Sequence, residues 1–426
     1  MKSRVLCLLT AALCLTLGSC GKDEPVNPDN GGGNGTEQPD KPDTPDKPDT
    51  PDNPDAPQDV LPAEESKMYL ENAAREVMGY FNTADQRPTV DAVRYVYDRY
   101  GDLDAPDNFI FEDDDEPYYS PAKVAAGLYK LLTRGDVAGA AAMYEGLYRF
   151  SDFTGIYEPG YESWVRTADS DDVIFRCQGA NGKVEVRAVA SDGTWSGSYD
   201  GYTAYVPKTL TVTVKEGSTT HATAVVKTVA DIDGHTFTIN ADVTAANINA
   251  KVAAQGSDTR ITETSTISVD GTTIVTTSGT VKGYNLCNWS VLKHKPDPED
   301  IVSNATAEVD FIGKVQVKAT APGKAISILE DYVHDYGSGV PNMADQLNSL
   351  TDARMYYGSD AVQGKLRFNW ELENYGYYGG EEWQPIYELE FAADGSRVDI
   401  GSYFGEGFNG IVNRAIRLFD SYCDLW

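Results

Sequence analysis

The chain has 426 residues, of which 41% are hydrophobic and 24% charged, and its formal net charge at pH 7 is −31. This composition is typical of a globular protein. The large negative charge argues against nucleic acid, and against docking to anionic lipid headgroups. After the first 20 residues no stretch approaches the 18 consecutive apolar residues that predict a transmembrane helix.

The first 19 residues have the pattern of a secretory signal. Positive residues at the start precede an apolar run over residues 5–17, which is too short to cross a bilayer. The run ends in LGSC at 17–20, which resembles the lipobox of bacterial lipoproteins. That resemblance implies a signal peptide over 1–19 and lipid attachment at Cys20, the one membrane contact we expect. An ordinary secretory signal with an incidental cysteine is the alternative.

Residues 20–60 are predicted to be the lipidated cysteine and a disordered tether. A Pro-Asp-x repeat runs over residues 25–59. Proline fixes φ and the regularly spaced aspartates repel one another, so the repeat predicts an extended polyproline-II spacer without a core. The sequence GKDE at 21–24 resembles the surface-export signal of Bacteroidetes lipoproteins. That resemblance implies that the protein is anchored in the outer membrane and exposed at the cell surface. A lipoprotein that faces the periplasm is the alternative.

Three cysteines remain outside the signal and the lipid site: Cys177, Cys287 and Cys423. These three cysteines could form one disulfide and leave one buried thiol, or they could all be buried thiols. Neither these cysteines nor the four histidines have the spacing of a metal site, and no phosphate-binding or dinucleotide-binding motif occurs. We therefore predict no metal site, no cofactor and no catalytic residues.

The folded part is predicted to begin with a helical region over residues 61–154. Apolar residues recur every three to four positions in four successive segments, beginning with the stripe Leu70, Ala74, Val77 and Phe81. A second helix follows through Tyr100, and a third opens at Ser120-Pro121 in the favoured order for a helix start. A fourth helix ends near Phe150.

Residues 155–322 are predicted to form an antiparallel β region. Apolar and polar residues alternate there, and dipeptides that favour positive φ mark hairpin turns between the runs. These dipeptides are Asn181-Gly182, Asp192-Gly193, Asp233-Gly234 and Asp270-Gly271. Alternation of this kind predicts one covered face and one solvated face, the latter rich in threonine between residues 262 and 280.

Residues 323–426 are predicted to be an α+β region that packs on the sheet. Helices are expected at 323–336 and 342–352, a strand at 365–373 with a partner through Phe391, and a last helix at 406–425. The complete prediction is an α+β fold, with helices first, a large antiparallel meander next, and C-terminal helices packed on the sheet.

The order of these elements resembles a group of uncharacterised Bacteroidetes surface lipoproteins. The resemblance rests on the lipobox with its acidic tether and on three later segments: VPK at 206–208, GKVQV at 313–317 and FAADGS at 391–396. It implies an envelope location and a sheet-rich layout. It implies no catalytic residue.

An aromatic, glycine-containing loop is the candidate ligand site. Its candidate contacts are Tyr377, Tyr378, Glu381, Glu382 and Trp383. Aromatic faces can stack on sugar rings while carboxylates accept hydrogen bonds from hydroxyl groups. The competing interpretation is a long hairpin loop whose rings shield the strand ends. Two weaker candidates are an aromatic segment from Trp195 to Tyr205 and an acidic run at 112–116, which is either a calcium loop or a solvated loop.

Three functions stay open at this point. The first is a non-catalytic surface module that binds a glycan, a lipid or a surface protein, or that serves in assembly. The second is a carrier of an apolar molecule or lipid in a cavity wrapped by the sheet. The third is a carbohydrate-active hydrolase whose acid pair has no sequence signature.

Overall fold

The computed structural model describes residues 59–81, 85–100, 103, 150–199, 202–231, 234–288, 291, 296–332, 338–375 and 380–400. The helices are α1 (Ala63–Gly79), α2 (Arg87–Tyr100), α3 (Pro298–Ile301), α4 (Gly323–Tyr332) and α5 (Val340–Leu350). The first strands are β1 (Gly155–Pro159), β2 (Trp164–Ala168), β3 (Val173–Gln178), β4 (Lys183–Tyr199), β5 (Tyr202–Glu216), β6 (Thr219–Asp231), β7 (Thr236–Ala245) and β8 (Ile248–Ser257). The remaining strands are β9 (Arg260–Val269), β10 (Thr272–Gly283), β11 (Val302–Phe311), β12 (Val315–Ala321), β13 (Asp352–Tyr356), β14 (Val362–Tyr375), β15 (Gly380–Phe391) and β16 (Arg397–Asp399).

All sixteen described strands belong to one sheet. From β3 to β16 each strand pairs with its neighbour in the chain, and at the other end the order is β3-β1-β2. The pairs are antiparallel except β1 with β3, which is parallel. The predicted antiparallel meander is therefore confirmed, and the sheet dominates the described part of the chain.

One face of this sheet is apolar, and we call it the inner face. On β12, Val315, Val317, Ala319 and Ala321 are buried, whereas the residues between them are partly or fully exposed. The register carries this alternation across neighbouring strands, since Ala321 lies opposite Ala305 and Ala305 lies opposite Val281. The opposite, outer face carries the predicted threonine-rich surface.

The described helices pack on the inner face in three places. Helices α4 and α5 cover an apolar cluster that includes Ala305 and Ala321, and we call it the α4–α5 cluster. Tyr100 of α2 joins a second cluster that includes Val226 and Ile239, which we call the α2 cluster. Leu70 of α1 joins a third with residues of β11–β15, the α1 cluster. None of the helices among the described residues is long and apolar enough to cross a membrane.

The predicted helices and hairpins are confirmed where they fall on described residues, with one exception. The predicted hairpin turn at Asp192-Gly193 is wrong. Both residues have positive φ (63° and 85°), but they lie inside β4, where the register with β5 shifts between Ser191 and Thr194. The dipeptide forms a β-bulge rather than a turn, because β5 continues to pair with β4 on both sides of it. At Asp270-Gly271 the same type of dipeptide does form the hairpin, with φ of 50° and 80°.

Several predictions lie outside the described residues. These are the signal peptide, Cys20 and the tether, the third and fourth helices of the 61–154 region, Cys423, and the last helix at 406–425. No disulfide joins the two described cysteines, Cys177 and Cys287. Burial, with a smaller contribution from Glu216, raises the pKa of the Cys177 thiol to about 12.

Candidate functional site

The base of the β14–β15 hairpin is fixed by polar side chains of α4 and α5. The buried Tyr332 hydroxyl donates to the Asn369 carbonyl of β14 and to the Ile386 carbonyl of β15, the latter at 3.1 Å. Asn348 of α5 bonds both backbone groups of Phe368, accepting from its N–H at 3.0 Å and donating to its carbonyl at 2.7 Å. Because β14 pairs with β13 only as far as Lys365, Asn348 takes the place that a neighbouring strand would fill.

Beyond this anchor the hairpin presents apolar side chains on the inner face. The rings of Trp370 and Trp383 meet edge to face, with centroids 4.6 Å apart and planes at 64°. Leu372 lies opposite Trp383 in the register. Trp370 and Leu372 are each 37% exposed, whereas Trp383 is half-buried and packs against the α4–α5 cluster. Trp370, Leu372 and Trp383 are called the hairpin tip below.

The predicted ligand residues are only partly described at this site. Tyr377 and Tyr378 lie outside the described residues, and so do the side chains of Glu381 and Glu382, although their backbones belong to β15. Trp383 is the one predicted contact whose side chain is described. Trp370 and Leu372 lie on the strand predicted at 365–373, where alternation predicts that they face inward. An alternating pattern does not indicate that both are exposed.

The second aromatic segment is held in place by its own contacts. Trp195 donates from Nε1 to the Thr228 carbonyl at 2.8 Å, and Lys208 Nζ lies 4.4 Å from the centre of its ring. Its ring is therefore engaged inside the sheet, which favours a structural role. The side chains of Tyr199, Tyr202 and Tyr205, the other aromatic residues of this segment, are not among the described side chains.

Carboxylates that come together on the outer face are neutralised by arginine. Glu390 accepts two hydrogen bonds from Arg367, at 3.1 and 3.2 Å, and one from Arg397 at 2.9 Å. These bonds, those of Arg367 foremost, hold the pKa of Glu390 below its usual range. Glu388 lies two residues away, within 3.9 Å of Arg397. A general acid for glycoside hydrolysis needs a raised pKa, so Glu390 is not suited to that role.

A buried histidine and glutamate connect α2 to the β5–β6 hairpin. His221 Nε2 lies 3.6 Å from the Glu216 carboxylate, and His221 Nδ1 lies 3.3 Å from the Thr89 hydroxyl of α2. Glu216 accepts from the Asn181 backbone N–H at 2.7 Å, and this bond is the main cause of its lowered pKa. The order acid, imidazole, hydroxyl resembles a hydrolytic triad. However, Thr89, His221 and Glu216 are all buried, so a substrate has no access and the network serves to hold α2 on the sheet.

A second unpredicted feature lies on the inner face of β9 and β10. Glu263 is half-buried there, between Ala254 of β8 and Gly279 of β10 in the register. One step along the strands, the hydroxyls of Ser265 and Thr277 lie 2.6 Å apart. Burial raises the pKa of Glu263 to about 7. We call Glu263, Ser265 and Thr277 the inner patch.

Within the described ranges, no group of three or more histidine, cysteine, aspartate or glutamate side chains could hold a metal ion. The acidic run at 112–116 lies outside those ranges.

No protein-family model matches the chain, and no curated protein matches it in sequence. Among solved structures, the chain is similar to a porin-like protein from Bacteroides vulgatus, with 10% identity and a TM-score of 0.19. The match covers 52% of this chain and 93% of that one. So low a TM-score does not establish a shared fold.

Proposed function

We propose that this chain is a lipid-anchored, non-catalytic binding module of the outer membrane, displayed at the cell surface, that holds a glycan at the hairpin tip. The observation that carries the proposal is the exposure of Trp370 beside Trp383 on a hairpin that is anchored at its base. The signal, Cys20 and the tether support the location, and on the same residues we propose membership of the Bacteroidetes surface lipoproteins.

The hairpin tip has the chemistry of a stacking site. Exposed apolar groups that lie together on a monomer are typical of a binding surface, and the flat face of an indole suits the apolar face of a sugar ring.

The anchor also favours binding over a passive cap. Tyr332 and Asn348 fix the hairpin immediately before Trp370. A rigid support reduces the conformational entropy that a ligand must otherwise remove when it binds. The two rings are thus held in place before a sugar arrives.

Glycan binding is tested with the unlipidated chain, in which Cys20→Ala removes the acylation site. We expect the parent chain to bind on a glycan array. In a titration with the bound glycan, Trp370→Ala should have an affinity at least tenfold lower. Tyr161→Ala is the matched control, because Tyr161 is an aromatic residue that is 94% exposed in the turn between β1 and β2. Equal affinity of Trp370→Ala and the parent chain, or silence on all glycans, contradicts the proposal. Capture of a surface protein that depends on Trp370 would replace the glycan by a protein partner.

The location is tested separately in cells. A palmitate label should enter the full-length chain and be lost from Cys20→Ala, and added protease should remove the folded part from intact cells. Labelling together with protease protection would instead place the lipoprotein on the periplasmic side.

A further inference from the structure

The inner patch interrupts a face that is otherwise apolar. On the neighbouring strands β7 and β11, the inner residues nearest the patch in the register include Ile239, Ala241, Ala307 and Val309, all of them buried. A carboxyl and two hydroxyls at adjacent inner positions therefore go against the pattern that builds the sheet. Polar groups kept on a core face without an evident structural use are typical of functional sites.

The patch also lies between the three apolar clusters. Val252 packs against the α2 cluster, Ile261 against the α4–α5 cluster and Val275 against the α1 cluster. Glu263, Ser265 and Thr277 belong to none of the three. The patch thus has apolar residues on three sides.

The polar atoms of the patch have bonding capacity that the described residues leave unused. In the described part of the chain no donor bonds the Glu263 carboxylate and no cation pairs with it, and burial is the cause of its raised pKa. The residues directly beside it, Ala254 and Gly279, have no side-chain donor. In the Ser265–Thr277 pair one hydroxyl donates to the other, and both hydroxyl oxygens keep a lone pair that can accept from another donor.

We propose that the inner patch is a binding site for a small apolar molecule that carries one ammonium group, with the ammonium on Glu263 and the apolar body against the surrounding Val252, Ile261 and Val275. An unpaired carboxylate in apolar surroundings is costly, and a bound cation removes that cost. The ammonium has three donors, which can reach the carboxylate and the hydroxyl pair together. The net charge of −31 favours the approach of a cation over that of an anion.

The test uses octylamine as the probe, with 1-octanol and octanoate as molecules of the same length and different head group. Calorimetric titration of the unlipidated full chain at pH 8 should show octylamine binding at least tenfold more tightly than either of the others. Glu263→Gln should lower the affinity for octylamine at least tenfold and leave the affinity for 1-octanol unchanged. Glu308→Gln is the matched control, since it removes the same charge from the outer face two strands away, and it should bind octylamine like the parent chain.

Three results would overturn the proposal: no octylamine binding by the folded parent chain, equal affinity for octylamine and 1-octanol, or undiminished octylamine binding by Glu263→Gln. A thermal melt of each variant verifies that it is folded. Glycan binding at the hairpin tip should be the same in Glu263→Gln, so this proposal and the proposed glycan site can fail independently.

Discussion

Acidic residues on the two faces of the central strands differ in how their charge is compensated. On the outer face, Glu308 of β11 lies opposite Lys318 of β12, and their charged groups are 3.5 Å apart. On the inner face, Glu263 lies between Ala254 and Gly279, and its pKa is raised to about 7. Because side chains alternate between faces, a shift of one residue in the register exchanges these surroundings. For these two carboxylates, the face of the sheet decides whether a lysine lies opposite or only Ala254 and Gly279 do.

The largest expected effect comes from placing a charge on the inner face. Val309 is fully buried in the α1 cluster. Val309→Asp should lose about 2 kcal/mol of burial and several more for the buried charge, against a total stability of about 5–15 kcal/mol. We expect little folded protein. Thr306→Asp, on the exposed side of the same strand, should change stability by less than about 0.5 kcal/mol. If Thr306→Asp lowered the melting temperature more than Val309→Asp, the assignment of the inner and outer faces would be wrong.

The two tryptophans of the hairpin tip should also differ in how much stability is lost when each is replaced, the more buried one losing more. Trp383 packs against the α4–α5 cluster, so Trp383→Ala should cost about 3 kcal/mol. Trp370 is more exposed, and Trp370→Ala should cost about 1 kcal/mol or less while removing glycan binding. Urea unfolding of both variants measures the difference. Equal losses would mean that the two rings form one buried unit, and the hairpin tip would then be a cap.

A smaller effect is expected from the pH dependence of Glu263. Its pKa in the folded chain, about 7, is above its ordinary value of 4.5, so the folded state binds the proton more tightly. The resulting stability is fully present below about pH 4.5 and is lost as the pH rises through 7. The partly exposed group should contribute about 2 kcal/mol. Relative to Glu263→Gln, the parent chain should lose this amount between pH 4.5 and pH 8 in urea unfolding. A constant difference at both pH values would show that Glu263 is solvated.

Much of the sheet could be predicted from the sequence, because alternation and turn dipeptides are local signals. Asp270-Gly271 forms a hairpin as predicted, but Asp192-Gly193 forms a bulge. The two dipeptides have the same backbone preference, and the choice between turn and bulge depends on whether the neighbouring strand continues to pair. That pairing is a long-range property, which a dipeptide does not encode.

The side-chain arrangements described above were less accessible from the sequence, for different reasons. Glu263 has a local signal, since it shares the inward parity of Ile261 and Ile267 in the same strand. The contact between His221 and Glu216 depends on Thr89 and Asn181, which come from distant parts of the chain. Trp370 shares the inward parity of Phe368 in the same strand, yet it is 37% exposed whereas Phe368 packs against the α4–α5 cluster. Spacing along the chain indicates neither of these last two arrangements.

The most direct test of the difference between the two faces is an NMR titration of the Glu263 side-chain carboxyl in the folded chain. The signal is assigned by its absence in Glu263→Gln. The inner-face environment predicts a midpoint near pH 7 in the absence of a ligand, and a lower midpoint when octylamine is bound, because the ammonium favours the ionised form. A midpoint at or below 4.5 without a ligand would show that water or a cation of the chain already compensates Glu263, and would contradict the desolvation that the inner face is expected to impose.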